Sequence, residues 1–312
     1  MSIFLRNKLR TFVGATSGLF AYGMYRPDCD RLVKQPLETN AKSDHHAYTL
    51  RNRVWTEQEL IEKYKTCKNH VEPSKTSDYV MYGTLRFAYN AFNAVTFFDK
   101  DDPTPESMRT RLILLESIAG VPPFIMAGYR HFRSLRNLSY DGGRIYTHLE
   151  EAENERMHLV TCMQIFEAGA LMKGSVFLAQ MVATPICWFL CLLKPQWLNR
   201  GVGYLEELAC ETYSLVLTHC HNPEKKLYKA WHDKPAPPVS IDYWMLPKDS
   251  TWPDVLRYIY ADETHHRDIN HTFADLSVTD SNPLLREHKE NYERSLSIES
   301  NKEVSHCPNE EK

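Results

Sequence analysis

Two Glu-x-x-His motifs stand out: Glu155-Arg156-Met157-His158 and Glu263-Thr264-His265-His266. On a helix, residues three apart point the same way, so each pair can offer a metal one oxygen and one nitrogen. Ala152, Glu155, His158, Leu159 and Cys162 form one stripe, and Ile259, Glu263, His266, Asn270 and Phe273 form another. Both ligand pairs therefore sit on faces that also carry apolar residues and should turn inward. In the second motif a rival register, Asp262 with His265, has the same spacing. A third Glu-x-x-His, Glu303 to His306, lies in a polar tail with no core around it.

Two more acids occupy apolar surroundings. Glu116 lies within LILLESIAG, and Glu206 lies within YLEELACETY on a stripe with Ala209 and Tyr213. A carboxylate facing a core is costly unless it is paired or metal-bound. The chain order is Glu, Glu-x-x-His, Glu, Glu-x-x-His. That is the ligand set of ferritin-like di-iron bundles, with one Glu from each of two helices and one Glu-x-x-His from each of the others. A set of oxygen and nitrogen donors without thiolate suits iron or manganese better than zinc.

The elements that would carry these residues read as helices. The pattern predicts helices near Glu57–Thr66, Tyr79–Phe98, from Glu106 through the VPPF run, Ile145–Ala168, Val176–Leu193, Val202–His219 and Trp252–Leu276. Asp99–Pro105 and Asp141-Gly142-Gly143 break the chain, and the prolines of 221–240 predict a loop. Strand signals are nearly absent, so the fold class is all-α: a ferritin-like four-helix di-iron bundle with additional membrane-interface helices. Domain limits follow as a targeting segment at 1–27, an N-terminal arm at 28–78, the bundle at 79–278 and a polar, disordered C-terminal tail at 279–312. The targeting segment has Arg6, Lys8, Arg10 and Arg26, several Ser and Thr, and no acid, the composition of a mitochondrial transit peptide.

Bulk properties exclude other classes. With 312 residues, 43% hydrophobic and 25% charged, a packed core is available and global disorder is excluded. A net charge of −3 argues against nucleic-acid binding. No glycine-rich phosphate loop occurs, and none of the 8 cysteines forms a CxxC pair. Cys187 and Cys191, one turn apart, read as packing residues, and nothing favours a disulfide at Cys29 over a free thiol.

The segments around these residues resemble the alternative oxidase family of cyanide-resistant quinol oxidases. NERMHL (154–159), LESIAGVP (115–122), YLEELA (204–209) and ADETHHRDINH (261–271) are similar to the family's four motifs, in order. The resemblance implies that Glu116, Glu155 and His158 hold one iron and Glu206, Glu263 and His266 the other, with Glu155 and Glu263 bridging. It also selects the Glu263/His266 register. It places Asn154, Asp262, Tyr243 and Trp244 near the metals, gives Tyr213 a redox role, and points to Arg111, Leu115, Ala209 and Thr212 for quinol. Arg86 with Asn90 is a weaker quinol pair. Leu208 departs from the motif's third Glu and Tyr260 from an Arg, which bears on quinol contacts and not on metal binding. The implied activity is ubiquinol oxidation by O2 to water, by a homodimer on the matrix side of the mitochondrial inner membrane. Related readings are a di-iron hydroxylase, a plastid-type terminal oxidase or a ferritin-like iron-binding module.

Four electrons are needed to make water from O2. Two irons supply two quickly, and an aromatic nearby can lend another. Tyr213 is seven residues after Glu206 and shares its face.

Val176–Leu193 is an 18-residue apolar run, at the lower limit for a spanning helix. Yet Glu155/His158 precede it and Glu206 follows it, and one crossing would part them. The consistent arrangement is contact with one lipid leaflet, through the Tyr79–Phe98 and Val176–Leu193 helices.

Overall fold

The computed structural model describes residues 53–306, with side chains to 298. The expected targeting segment, the arm before residue 53 and Cys29 lie outside the described residues. Within them the chain is helical, without β-strands apart from one isolated bridge between Pro235 and Thr251. The helices are α1 (Glu57–Thr66), α2 (Thr76–Val95), α3 (Pro105–Ala119), α4 (Val121–Asn137), α5 (Arg144–Ile165), α6 (Ala170–Leu193), α7 (Pro195–Cys220), α8 (Lys226–Trp231), α9 (Pro238–Trp244), α10 (Trp252–Asp275) and α11 (Leu285–His306).

Local sequence starts and stops these helices. Thr56 with Glu59 and Thr251 with Asp254 form capping boxes at α1 and α10, each satisfying donors that the first turn leaves unpaired. Thr104 caps α3, whose first residue is Pro105, a position where the missing N–H costs nothing. Leu138 ends α4 in the left-handed conformation.

The four-helix core consists of α3, α5, α7 and α10. α3 packs on α5, α7 packs most extensively on α10, and α5 also touches α10. Gly120, at the junction of α3 and α4, makes the first approach possible: a Cβ there would lie 3.3 Å from Glu155 Cβ. Across the bundle, a Cβ on Gly203 of α7 would lie 2.6 Å from the His271 ring of α10. Small residues at these crossings let side chains of opposing helices share one interior.

Several expectations need correction. The helix expected from Glu106 through VPPF is two helices broken at Gly120, and the second continues to Asn137. The 221–240 loop contains α8 and the start of α9, because proline is compatible with a first turn and Pro238 occupies that position in α9. The tail expected to be disordered holds α11, which buries His288, Asn291 and Ser295. An apolar stripe does not announce this helix, since the side chains it buries are polar.

α6 is the most apolar helix, long and apolar enough to cross a membrane, and little of it is buried inside the molecule. Phe177, Leu178, Met181, Val182, Phe189 and Leu192 all project outward. Residues 105–137 are also long and apolar enough to cross a membrane, but 56% of that window is buried, and it contains buried Glu116.

Candidate metal centre

Each expected ligand comes from a core helix: Glu116 from α3, Glu155 and His158 from α5, Glu206 from α7, and Glu263 and His266 from α10. All six are buried. Their donor atoms form two groups, Glu116–Glu155–His158–Glu263 and Glu155–Glu206–Glu263–His266, each with donor atoms within 4.8 Å of one another. Glu155 and Glu263 belong to both. The Asp262/His265 register is not part of either group.

His266 Nδ1 lies 2.5 Å from Glu155 Oε1, and His158 Nδ1 lies 3.2 Å from Glu263 Oε1 and 3.5 Å from both Glu116 and Glu155. Both oxygens of Glu155 and Glu263, one each of Glu116 and Glu206, and both Nδ1 atoms crowd one another under full burial, yet none makes a hydrogen bond of proper geometry. Orphaned polar atoms at such density are unstable in a dry interior. Cations between them would satisfy them, so the residues fit a pair of metal ions.

The electrostatics agree. Burial and the neighbouring Glu263 push the Glu116 carboxyl up to about 8. Burial with Glu263 and Glu155 raises Glu206 well above the usual carboxylate range. Burial opposes ionisation of Glu155 too, but His158 and His266 outweigh it and hold its carboxyl low. Carboxylates crowded in this way repel one another until positive charge separates them.

Residues 56–275 match the alternative oxidase family. The chain belongs to that family. It is similar to the mitochondrial alternative oxidase of Cryptococcus neoformans var. grubii, 38% identical over 267 residues covering 76% of this chain and 64% of that protein. It thus spans a little under two thirds of that relative. The mitochondrial alternative oxidases of Aspergillus niger (35% over 249 residues, 76% of this chain and 69% of that protein) and Ajellomyces capsulatus (35% over 271 residues, 81% and 74%) are similar as well.

In this member of the alternative oxidase family a hydrogen-bonded layer surrounds the candidate ligands and converges on Asp262. Its carboxylate accepts from Asn154 Nδ2 (3.0 Å) and Trp244 Nε1 (2.8 Å) and lies 3.2 Å from His158 Nε2. Asn154 also donates to the Tyr243 hydroxyl at 3.0 Å. These four residues, expected near the metals, thus form one network. With Nε2 turned toward a carboxylate, His158 keeps Nδ1 for the interior. Burial opposes charge on Asp262, but His158 and Asn154 keep it ionised.

One partner is absent from the sequence reading. Trp55 Nε1 donates to Asp262 Oδ1 at 2.6 Å. It lies in the arm, some 200 residues away in sequence, where a lone tryptophan gives no periodic signal. Asp262→Asn keeps the volume but removes the charge. Iron affinity should fall on the order of 10- to 100-fold, as read by competition with a chelator; wild-type affinity would show the network to be structural only.

Tyr213, on α7, donates to Glu116 Oε1. It is fully buried, and burial together with Glu116 pushes its hydroxyl well above the ordinary tyrosine range. It therefore stays protonated beside the ligand cluster.

The residues expected for quinol are less unified. Arg111 is buried, its guanidinium caged by the rings of Tyr89, Phe92 and Phe98 at 4.9, 5.0 and 4.2 Å. Its three side-chain nitrogens make no hydrogen bond of proper geometry, and the Tyr89 hydroxyl is their polar neighbour. Thr212 Oγ1 lies 3.2 Å from the Tyr89 hydroxyl, so Arg111 and Thr212 meet around that ring. Leu115 and Ala209 are half-buried. A groove of about 600 Å³ between α2 and α6 is almost wholly apolar, but none of these four residues lines it. Its wall includes Ile118 and Leu205, about one turn beyond Leu115 and Ala209. Arg86 pairs with Glu211 at 2.5 and 3.0 Å, not with Asn90. Leu208 and Tyr260, the two departures from the family motifs, are buried; neither belongs to a ligand group.

Proposed function

We propose that this chain is a ubiquinol:oxygen oxidoreductase that reduces O2 to water at a di-iron carboxylate centre held by Glu116, Glu155, His158, Glu206, Glu263 and His266. One observation carries the reading: in a member of the alternative oxidase family, two four-residue donor groups share Glu155 and Glu263. Those two carboxylates span both positions. Glu116 and His158 complete one, and Glu206 and His266 the other. Bound there, iron would supply the one-electron chemistry that a closed-shell quinol and triplet O2 need in order to react. The protein contributes a dry site, fixed ligands, and Tyr213 with its hydroxyl on Glu116.

Arg111, Leu115, Ala209 and Thr212 form the quinol side. A buried guanidinium whose polar neighbour is the Tyr89 hydroxyl has more donors than acceptors, and a quinone oxygen is a further acceptor. The apolar groove between α2 and α6 gives a lipid-soluble substrate a way in from the exposed apolar surface.

The outward faces of α2 and α6 rest in one leaflet. Glu155 and His158 precede α6 and Glu206 follows it, so the shared centre forbids a crossing between them. Without a path across the bilayer, quinol oxidation is non-electrogenic and moves no charge between compartments. The relatives' names place those proteins in mitochondria, which supports a mitochondrial location here; the matrix side of the inner membrane and a homodimer are what the family resemblance implies.

The deciding experiment is metal analysis together with oxygen uptake. Purified protein should hold two irons per chain and consume oxygen with a soluble ubiquinol, unaffected by cyanide. Iron-loaded protein without uptake would leave a binding module, not an oxidase. The membrane face has its own check. Phe177 and Met181 are exposed and do not line the groove. Burying each contributes roughly 1.5–3 kcal/mol, so changing both to Glu should weaken binding to phospholipid vesicles by more than about tenfold. Flotation measures this; unchanged binding would reject α6 as the contact surface.

A further inference from the structure

Helix α11 lies beyond residue 275, where the match to the family ends, yet it reaches the metal centre through the arm. Residues 53–55 have no regular secondary structure. Buried backbone donors and acceptors in such a segment need partners from elsewhere. Here α11 supplies them. Val54 N–H donates to Asn291 Oδ1 at 2.8 Å, and Val54 C=O accepts from Arg294 at 2.5 Å. Arg53 pairs with Glu287 at 2.7 Å.

Glu287, Asn291 and Arg294 recur at helical spacing and face one strip of chain. The helix is itself anchored on α5, where His288 lies 2.8 Å from Thr147 Oγ1 and 2.6 Å from Glu150. The residue after Val54 is Trp55, whose indole N–H donates to Asp262, and Asp262 in turn holds His158. An unbroken series of contacts therefore runs from Asn291 and Arg294 through Val54, Trp55 and Asp262 to His158.

We propose that α11 is a clamp that seats Trp55 on Asp262, and that Asn291 and Arg294 are positioning residues for the metal centre. This rests on the di-iron reading above. A helix that merely adds stability would pack apolar groups; α11 instead commits a buried Asn291 and a partly exposed Arg294 to the two backbone groups of a single arm residue. Losing supporting partners of metal ligands typically weakens metal binding 10- to 100-fold.

The test uses the full-length, iron-loaded protein and the rate at which iron passes to a ferrous chelator, with helix content followed by circular dichroism. Trp55→Phe should speed release about tenfold. Asn291→Ala should do so to a similar extent, and Asn291→Asp, which still accepts from Val54, should behave like wild type. The double variant Trp55→Phe/Asn291→Ala should release iron no faster than Trp55→Phe alone, because both act through one contact. Arg294→Met, at a partly exposed position, gives the same reading if Asn291→Ala does not fold. Wild-type release rates in Asn291→Ala or Arg294→Met, or effects that multiply in the double variant, would overturn the clamp. Wild-type protein that holds no iron would instead reject the di-iron reading itself.

Discussion

Tyr213→Phe should leave the protein folded and iron-loaded yet lower turnover by on the order of 100-fold or more. The ring stays buried in the same core, so packing changes little. What disappears is the hydroxyl that donates to Glu116 Oε1. The other Glu116 oxygen, unpartnered and 3.5 Å from His158, remains for metal. A phenol in this position can lend one electron toward the reduction of O2, with its proton passing to the adjacent carboxylate. Phenylalanine can do neither. The paired measurements are iron content and steady-state oxygen uptake. Full activity in the variant would remove Tyr213 from the reaction, and loss of iron would reassign it as a structural support for Glu116.

Glu263→Gln should strip iron from both positions, because this one carboxylate belongs to both donor groups. Glu116→Gln should weaken only one. The same substitution should have the opposite effect on the metal-free protein. Glu263 is a charged neighbour that raises both Glu116 and Glu206. Removing it relieves repulsion between carboxylates that His158 and His266 offset only in part and metal would offset further. Metal-free Glu263→Gln should therefore unfold at a temperature a few degrees above metal-free wild type, while the iron-loaded comparison runs the other way. Acid acts in the same direction. Glu116 is held at about 8, above its ordinary 4.5, so the folded metal-free chain binds the proton more tightly. That chain should gain stability as pH falls from 8 toward 4.5, whereas iron binding weakens over the same range. Calorimetry of both forms against pH checks the signs; parallel behaviour would mean that the carboxylates are not crowded as described.

The cluster of buried carboxylate and imidazole donors was open to sequence reading because its chemistry violates the usual pattern. Glu116 and Glu206 stand in apolar runs, and Glu155/His158 and Glu263/His266 repeat at helical spacing. Buried carboxylates have few physical excuses, and a four-helix metal site is one. Residue spacing could not choose between Glu263/His266 and Asp262/His265, since both registers share one spacing. Family resemblance chose, and the packing of α10 against α7 shows why. That rotation turns Glu263 into the ligand cluster and leaves Asp262 to accept from Trp55, Asn154 and Trp244.

Amino-acid order by itself determined the all-α class, the four helices that carry the candidate metal donors and the apolar outer face of α6, because each depends on periodicity within one segment. Tertiary structure alone decided the rest. Gly120 sets how near α3 comes to α5, and so whether Glu116 can meet Glu155. Trp55 reaches Asp262 from far away in the chain, and α11 binds the arm with Asn291 and Arg294 rather than an apolar stripe. Hydrogen bonds between distant segments have no period along the chain, so only the folded arrangement of donors opposite acceptors discloses them.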